Sequence, residues 1–331
     1  MDQIKKRILA LCLALALLTG CGGAKVPEKK SAVGFYFDTV ITLSAFTDDD
    51  SVLKEALDEC ARYEKLFSRT VTGSDVWHIN EETGPVEVST ETVKMLTMSL
   101  GVSEASGGAF DPTIEPESSL WDFSGEAAVL PDADKLKEAS GRVDYRRLVV
   151  EGNTVELPED MGLDLGGIAK GYIADRLTEF LRDRGITSAL INLGGNVVTI
   201  GRRATDDKPW VVGIQDPKAE SGVNKLTLRG ESLSVVTSGN YERFFILDGV
   251  RYHHLLDPGT GWPVNAGLDS VTILSKSSAM GDALSTAAYV LGEEKGLELI
   301  KQYEGVEAIF IRSDGSVGMT DGAKALIVDE P

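Results

Sequence analysis

Cysteine and histidine are scarce in this chain, with three of each among 331 residues. Cys12 and Cys21 lie close to the N-terminus, which leaves Cys60 alone in the rest of the chain and no intrachain disulfide framework there. A zinc set is excluded on similar grounds. His253 and His254 are adjacent, neighbouring side chains on a strand point to opposite faces, and no cysteine or third histidine stands close to them. Positive charge is also short. The 33 Lys and Arg against 52 Asp and Glu give a formal charge of −19, so nucleic acid is not an expected partner, because phosphate backbones select for basic patches. The acidity reads as a solvated surface. The chain shows no repeat of fixed period and no low-complexity linker after Gly34. Its longest apolar run, Ile8–Leu18, is too short to span a bilayer.

That run is informative because of its flanks. Lys5, Lys6 and Arg7 precede it, and Leu18-Thr19-Gly20-Cys21 follows. The arrangement resembles the bacterial lipoprotein signal. It implies a signal peptide over 1–20, a lipidated Cys21 with a polar tether over 21–33, and one folded domain over 34–331. The expected location is extracytoplasmic, on a cell-envelope membrane to which the lipid anchors the chain.

The remainder mixes helices with short strands. Residues 35–45 read as one strand, and 51–67 as an amphipathic helix carrying a buried structural Cys60. A helix over 90–105 has Val93, Leu96 and Leu100 on one stripe and Ser89 or Thr90 as cap. Segments 147–150 and 154–157 suit a hairpin about Glu151-Gly152-Asn153. A helix through Ile173, Leu177 and Phe180, a strand over 188–193, a strand-rich stretch over 197–274, a helix over 277–291 and a hairpin about Ser313-Asp314-Gly315 complete the pattern. Strands outnumber helices and connect locally, so the expected class is α+β with a largely antiparallel sheet. A Rossmann fold is disfavoured, because no Gly-x-Gly-x-x-Gly follows a first strand.

Several segments carry chemical interest. Asp164-Leu165-Gly166-Gly167-Ile168-Ala169-Lys170-Gly171-Tyr172-Ile173-Ala174-Asp175 packs glycines, acid and lysine where an apolar strand is expected to turn into a helix. There a chain can present bare backbone N–H groups to phosphate. Asn192-Leu193-Gly194-Gly195-Asn196 forms a second glycine turn one helix later. Gly107-Gly108-Ala109-Phe110-Asp111-Pro112-Thr113 reads on spacing as a helix stop, and Thr237-Ser238-Gly239-Asn240-Tyr241 as a turn rich in small donors. In His253-His254-Leu255-Leu256-Asp257-Pro258-Gly259-Thr260-Gly261 one histidine can face a site as base or donor, and the other is expected at the surface. Asp282 and Thr286 are four apart on a helix, so their oxygens share a face. A carboxylate with a hydroxyl suits Mg²⁺, while the plain alternative makes Asp282 a helix cap. His78 reads as a solvent-facing helix residue.

Together these segments resemble the ApbE family, the FAD:protein FMN transferases, over nearly the whole chain after the tether. The resemblance implies a single α/β/α unit related to the T-fold. It implies cleavage of FAD at its pyrophosphate, release of AMP, and attachment of FMN through a phosphoester bond to a threonine or serine of an acceptor flavoprotein. By motif, the Mg²⁺ ligands would be Asp282, Thr286 and the main-chain carbonyl of Ala169. Ala109, Phe110 and Asp111 would hold the adenine end of FAD, Gly166 and Lys170 would lie along the diphosphate, and His254 would activate the acceptor hydroxyl. Two other activities would use related residues: a Mg²⁺-dependent FAD pyrophosphatase and a non-catalytic flavin-binding lipoprotein. Phe37-Asp38-Thr39 departs from the Met-Gly-Thr that many members show there.

Overall fold

A computed structural model describes residues 26–123 and 128–328. The expected signal peptide, residues 1–20, and Cys21 lie outside the described residues. In chain order the elements are β1 (Lys29–Tyr36), β2 (Thr39–Phe46), α1 (Val52–Phe67), α2 (Asp75–Glu81), β3 (Val86–Glu87), α3 (Thr90–Ala105), α4 (Glu115–Ser118), α5 (Ala133–Ser140), β4 (Val149–Glu151), β5 (Thr154–Glu156), α6 (Ala169–Asp183), β6 (Ala189–Leu193) and β7 (Asn196–Ile200). They continue with β8 (Trp210–Gln215), β9 (Asn224–Gly230), β10 (Ser234–Gly239), β11 (Phe244–Leu247), β12 (Val250–His253), β13 (Leu268–Ser275), α7 (Ser278–Ile300), β14 (Glu307–Arg312), β15 (Val317–Met319) and α8 (Asp321–Leu326).

Eight strands form the main sheet in the order β1-β2-β6-β7-β10-β13-β14-β15, and every pairing in it is antiparallel. The class is therefore α+β with a largely antiparallel sheet, as expected. Helices α1, α3, α6 and α7 lie on one face over the larger core, which holds Ile41, Leu43, Ile173, Leu177, Ile273 and Phe310. The other face packs Val235, Leu274, Ile309 and Ile311 under the β8–β9 ribbon, which supplies Val212, Ile214 and Leu228. Covered on both sides, β13 is buried at every residue, its polar Asp269, Ser270, Thr272 and Ser275 included.

Several local expectations are met for the stated reasons. Ser89 caps α3 by accepting the Thr92 N–H at 3.2 Å. The Cys60 thiol is fully buried, and that burial pushes it up to about 12, so it is an unreactive packing group. His78 lies on α2 with its side chain exposed beside Glu82, 2.6 Å away.

Three expectations change. Residues 35–45 form two strands, because Phe37 and Asp38 turn the chain with φ of 54° and 56° and pair Tyr36 with Thr39. Strand β1 begins at Lys29, inside the segment expected to be tether. Its register on β2 runs from Lys29–Phe46 to Tyr36–Thr39, and Ala32 and Tyr36 pack on the core. The helix expected to end at 291 does end there, broken at Gly292 with φ of 76°, but a second helical segment that was not expected runs on to Ile300.

Candidate active site

The site starts from two helices that touch. Gly171 of α6 lies so close to α7 that an added Cβ would stand 2.8 Å from Asp282 Cβ and collide with the Ser278 carbonyl. No other residue type fits there. The approach leaves the Gly171 N–H free to donate to Asp282 Oδ2 at 2.8 Å. Asp175, which closes the long glycine motif, fastens the same contact. Its carboxylate accepts the N–H groups of Ser278 and Ala279 and the Ser277 hydroxyl, at 2.7, 3.0 and 2.8 Å. Ser277 caps α7 at Met280 N. The cap role is thus filled by Asp175 and Ser277, and Asp282 sits one turn further in, buried and facing α6.

One turn later on α7, the Thr286 hydroxyl is 3.2 Å from Ser238 Oγ, which is itself 2.8 Å from Ser285 Oγ. Gly167 lies between Thr286 and the Phe110 ring: its Cβ would be 3.7 Å from Thr286 Oγ1 and 3.0 Å from Phe110 Cε2. Ala169 stands midway between Gly167, beside Thr286, and Gly171, bonded to Asp282. The three residues expected to hold a metal therefore come from one helix contact. Among the described residues no three Asp, Glu, His or Cys side chains converge on a point; the expected set needs only one of them.

The glycine turn differs from an open cradle. The Gly166 N–H donates to Asp164 Oδ1 at 2.9 Å, and the Ile168 and Ala169 N–H groups both go to the Leu165 carbonyl. Nor does a regular strand lead into it, since β5 ends at Glu156. The positive element is Lys170 instead. Its ammonium donates to the Gly166 carbonyl at 3.3 Å and lies 3.8 Å from Asp282 Oδ1.

The facing wall comes from the β10–β11 turn and the end of β12. His254 N donates to the Arg243 carbonyl at 3.1 Å, and its Nδ1 lies 3.3 Å from the same oxygen. A carbonyl accepts only from N–H, so Nδ1 carries the proton and Nε2 is bare. Crowding by protein, with Lys170 and Arg243 nearby, pushes its pKa down to about 3, so the imidazole is neutral. His253 is not at the surface. It is buried, its ring meets Tyr289 edge-on at 5.8 Å, and Nε2–H donates to the Val264 carbonyl at 3.1 Å.

Glu242 is a site residue that sequence reasoning missed. Its carboxyl opens to the cleft, with Oε1 within 3.9 Å of where a Gly195 Cβ would stand. Loss of hydration pushes it up to about 7, with Lys170 and Arg243 opposing and Asp282 adding to the rise. The only signal for it was an acid-base pair, Glu242-Arg243, directly after a glycine-containing turn.

An open depression of about 350 Å³ lies beside Gly107, Gly108 and Ala109, flanked by Asp257, Leu291 and Lys295, and polar and apolar groups line it about equally. Asp111 does not point into it. Its carboxylate accepts from Thr113 N, Thr113 Oγ1 and Tyr145 N at 2.8, 2.7 and 2.9 Å, so it shapes the loop carrying Ala109 and Phe110.

Comparison with known proteins identifies the family. A family model described as the ApbE family matches residues 37–310. A protein from Treponema pallidum (strain Nichols) named FAD:protein FMN transferase is 35% identical, covering 97% of this chain and 96% of its own. One of the same name from Klebsiella pneumoniae (strain 342) is 36% identical over 84% and 87%. Among solved structures, the ApbE protein of Thermotoga maritima superposes with a TM-score of 0.83 at 30% identity, covering 91% of this chain and all of the other. The flavin transferase ApbE of Vibrio cholerae gives 0.81 at 26% identity, covering 90% and 99%.

Proposed function

Since the chain belongs to the ApbE family, we propose that it is a Mg²⁺-dependent FAD:protein FMN transferase that esterifies a threonine or serine of an acceptor protein and releases AMP. The observation that carries this reading is the contact of Gly171 with Asp282, beside which Lys170 lies 3.8 Å from the same carboxylate.

The donor set fits the ion. Asp282 Oδ1, the Thr286 hydroxyl and a peptide carbonyl are hard oxygen donors, and few protein ligands with several waters is the habit of Mg²⁺. Asp282, Thr286 and the Ala169 carbonyl would hold it, and it would offset negative charge on the pyrophosphate that otherwise repels a nucleophile. Lys170 would hold the diphosphate from the open side. The depression at Ala109 and Leu291 would take the departing AMP half. His254, with Nε2 bare, would accept the proton of the incoming hydroxyl. The bound diphosphate would offset the charges of Lys170 and Arg243, which now depress that nitrogen. Such a base contributes roughly 10²–10⁴-fold to rate. Residues 1–33 would place the domain outside the cytoplasm on a lipid anchor at Cys21. No helix among the described residues is long and apolar enough to cross a membrane.

The test is an incubation with FAD, Mg²⁺ and a co-expressed acceptor flavoprotein, read by acceptor mass and AMP release. A mass gain of one FMN-phosphoryl group is expected for the native chain and none for Asp282→Ala, with the fold retained. Free FMN with an unmodified acceptor would make the enzyme a pyrophosphatase. Normal labelling by Asp282→Ala would remove the metal site.

A further inference from the structure

The main sheet has two edges, and they are finished differently. β15 is three residues long and lies between Asp314 and Asp321. Short, charged edges of this kind are how sheets avoid pairing with other chains. β1 is eight residues long, and its outer side is unpaired among the described residues. Its charges, Lys29 and Lys30, stand at its start. From Ala32 to Tyr36 there is none. Instead Val33, Phe35 and, across from Phe35, Val40 are 65%, 67% and 55% exposed. These are large apolar side chains kept in water on an edge that carries no guard.

The unguarded half leads into the site. Tyr36 passes to the Phe37–Asp38 turn, and Thr39 packs against Gly194, whose N–H donates to the Val40 carbonyl at 3.2 Å. Gly195 adjoins Glu242, which senses Lys170 and Asp282. Displacement at phosphorus runs in line, so the attacking hydroxyl enters opposite the departing group. With AMP leaving toward Ala109 and Leu291, the Gly194–Gly195 side is left for the hydroxyl. The chain upstream joins β1 at its other end, where the Glu28 carbonyl accepts from Thr47 N.

We propose that the free edge of β1 between Ala32 and Tyr36 docks an extended segment of the acceptor protein as an added strand. Apolar side chains of that segment cover Val33, Phe35 and Val40, and the acceptor threonine or serine follows just beyond, at the Phe37–Asp38 turn. Main-chain pairing supplies affinity that is indifferent to sequence, and the apolar patch and the hydroxyl supply selection. This rests on the transferase reading above.

The experiment uses the acceptor protein that the native enzyme labels and compares Phe35→Asp and Val33→Asp with Val211→Asp, a control on the β8–β9 ribbon that is 51% exposed. The two β1 variants are expected to raise KM for the acceptor at least tenfold, with KM for FAD and thermal midpoint unchanged, while the control moves neither. A benzoylphenylalanine at position 35 is expected to crosslink to the acceptor. An unchanged acceptor KM, or crosslinks only to lipid or to residues 1–28 of the chain itself, overturns the proposal. Failure of the native enzyme to label any acceptor would instead overturn the transferase reading.

Discussion

The two walls of the cleft are built by opposite means. On the α6–α7 side the groups that define the contact are committed: Gly171 to Asp282, Asp175 to the start of α7, Gly166 to Asp164, and Ser238 to Ser285 and Thr286. On the opposite side, Glu242 stays open to the cleft and Nε2 of His254 is bare, while the β1–β2 turn carries two non-glycine residues at positive φ. The packed wall fixes positions to within fractions of an ångström. The open wall keeps the groups that must exchange protons or meet a partner. Rigidity and reactivity are divided between walls rather than blended, so substitutions on the two sides should fail in different ways.

The largest effect belongs to the packed wall. Gly171→Ala would drive a methyl into the Ser278 backbone, and neither backbone can retreat as a side-chain tip does. The expected loss is roughly 2–3 kcal/mol of stability, seen as a lower denaturation midpoint, with transfer activity down more than tenfold because Asp282 moves with α7. An alanine enzyme of native stability and rate would mean that the helix contact does not set the site.

This division also governs what was legible in the sequence. The residues of the packed wall stood out in advance, though as a phosphate cradle and not as a helix contact: Gly166 and Gly167 in the turn, Gly171 and Asp175 on the helix after it, Asp282 and Thr286 on the other helix. The sheet class was legible from short alternating segments. On the open wall His254 was named from the family resemblance, as Lys170 of α6 was, but Glu242 was missed, because the three come together from separate segments and no local pattern announces a charge cluster. The break at Phe37–Asp38 was missed for a related reason. Neither residue signals a left-handed turn, and apolar residues flank them on both sides. Asp111 was placed in the right loop, but the direction of its carboxylate depends on Tyr145, far along the chain.

An intermediate effect belongs beneath the open wall. Glu117 of α4 is fully buried under the turn that ends at Gly261, and neither of its carboxyl oxygens finds a hydrogen-bond partner among the described residues. The neighbouring Ser140 hydroxyl donates to the Leu136 carbonyl instead. Burial, with Asp257 and Asp111 adding to it, pushes the Glu117 carboxyl up to about 8. The folded chain therefore keeps a proton there that the unfolded chain loses above about 4.5. This favours the fold below that pH, and the advantage is lost as pH rises toward 8. Glu117→Gln keeps the shape and removes the titration. It should leave stability nearly unchanged at pH 5 and raise it by on the order of 1–3 kcal/mol at pH 9, read from denaturant midpoints across pH. A pH-independent difference would show that the carboxyl is solvated or paired, and the contrast between a satisfied wall and an unsatisfied one would weaken.

The smallest effect tests whether the open wall stores strain. Asp38 holds φ of 56° in a two-residue hairpin turn, a conformation that glycine adopts freely and that other residues occupy at a cost of about 1–2 kcal/mol, less for Asp. Many ApbE-family sequences carry glycine at this position, and the structure supplies the reason. Asp38→Gly is expected to stabilise the fold by about 0.5–1 kcal/mol, because relief of strain in the turn exceeds the extra entropy of an unfolded glycine. A rise of the thermal midpoint by about 1–3 °C would report it. The turn borders Thr39 and Gly194 without touching Asp282, so the transfer rate should be unchanged. If the substitution instead lowers the midpoint, the Asp38 side chain is holding the turn in place. The open wall would then be braced as firmly as the packed one, by a side chain instead of by close approach.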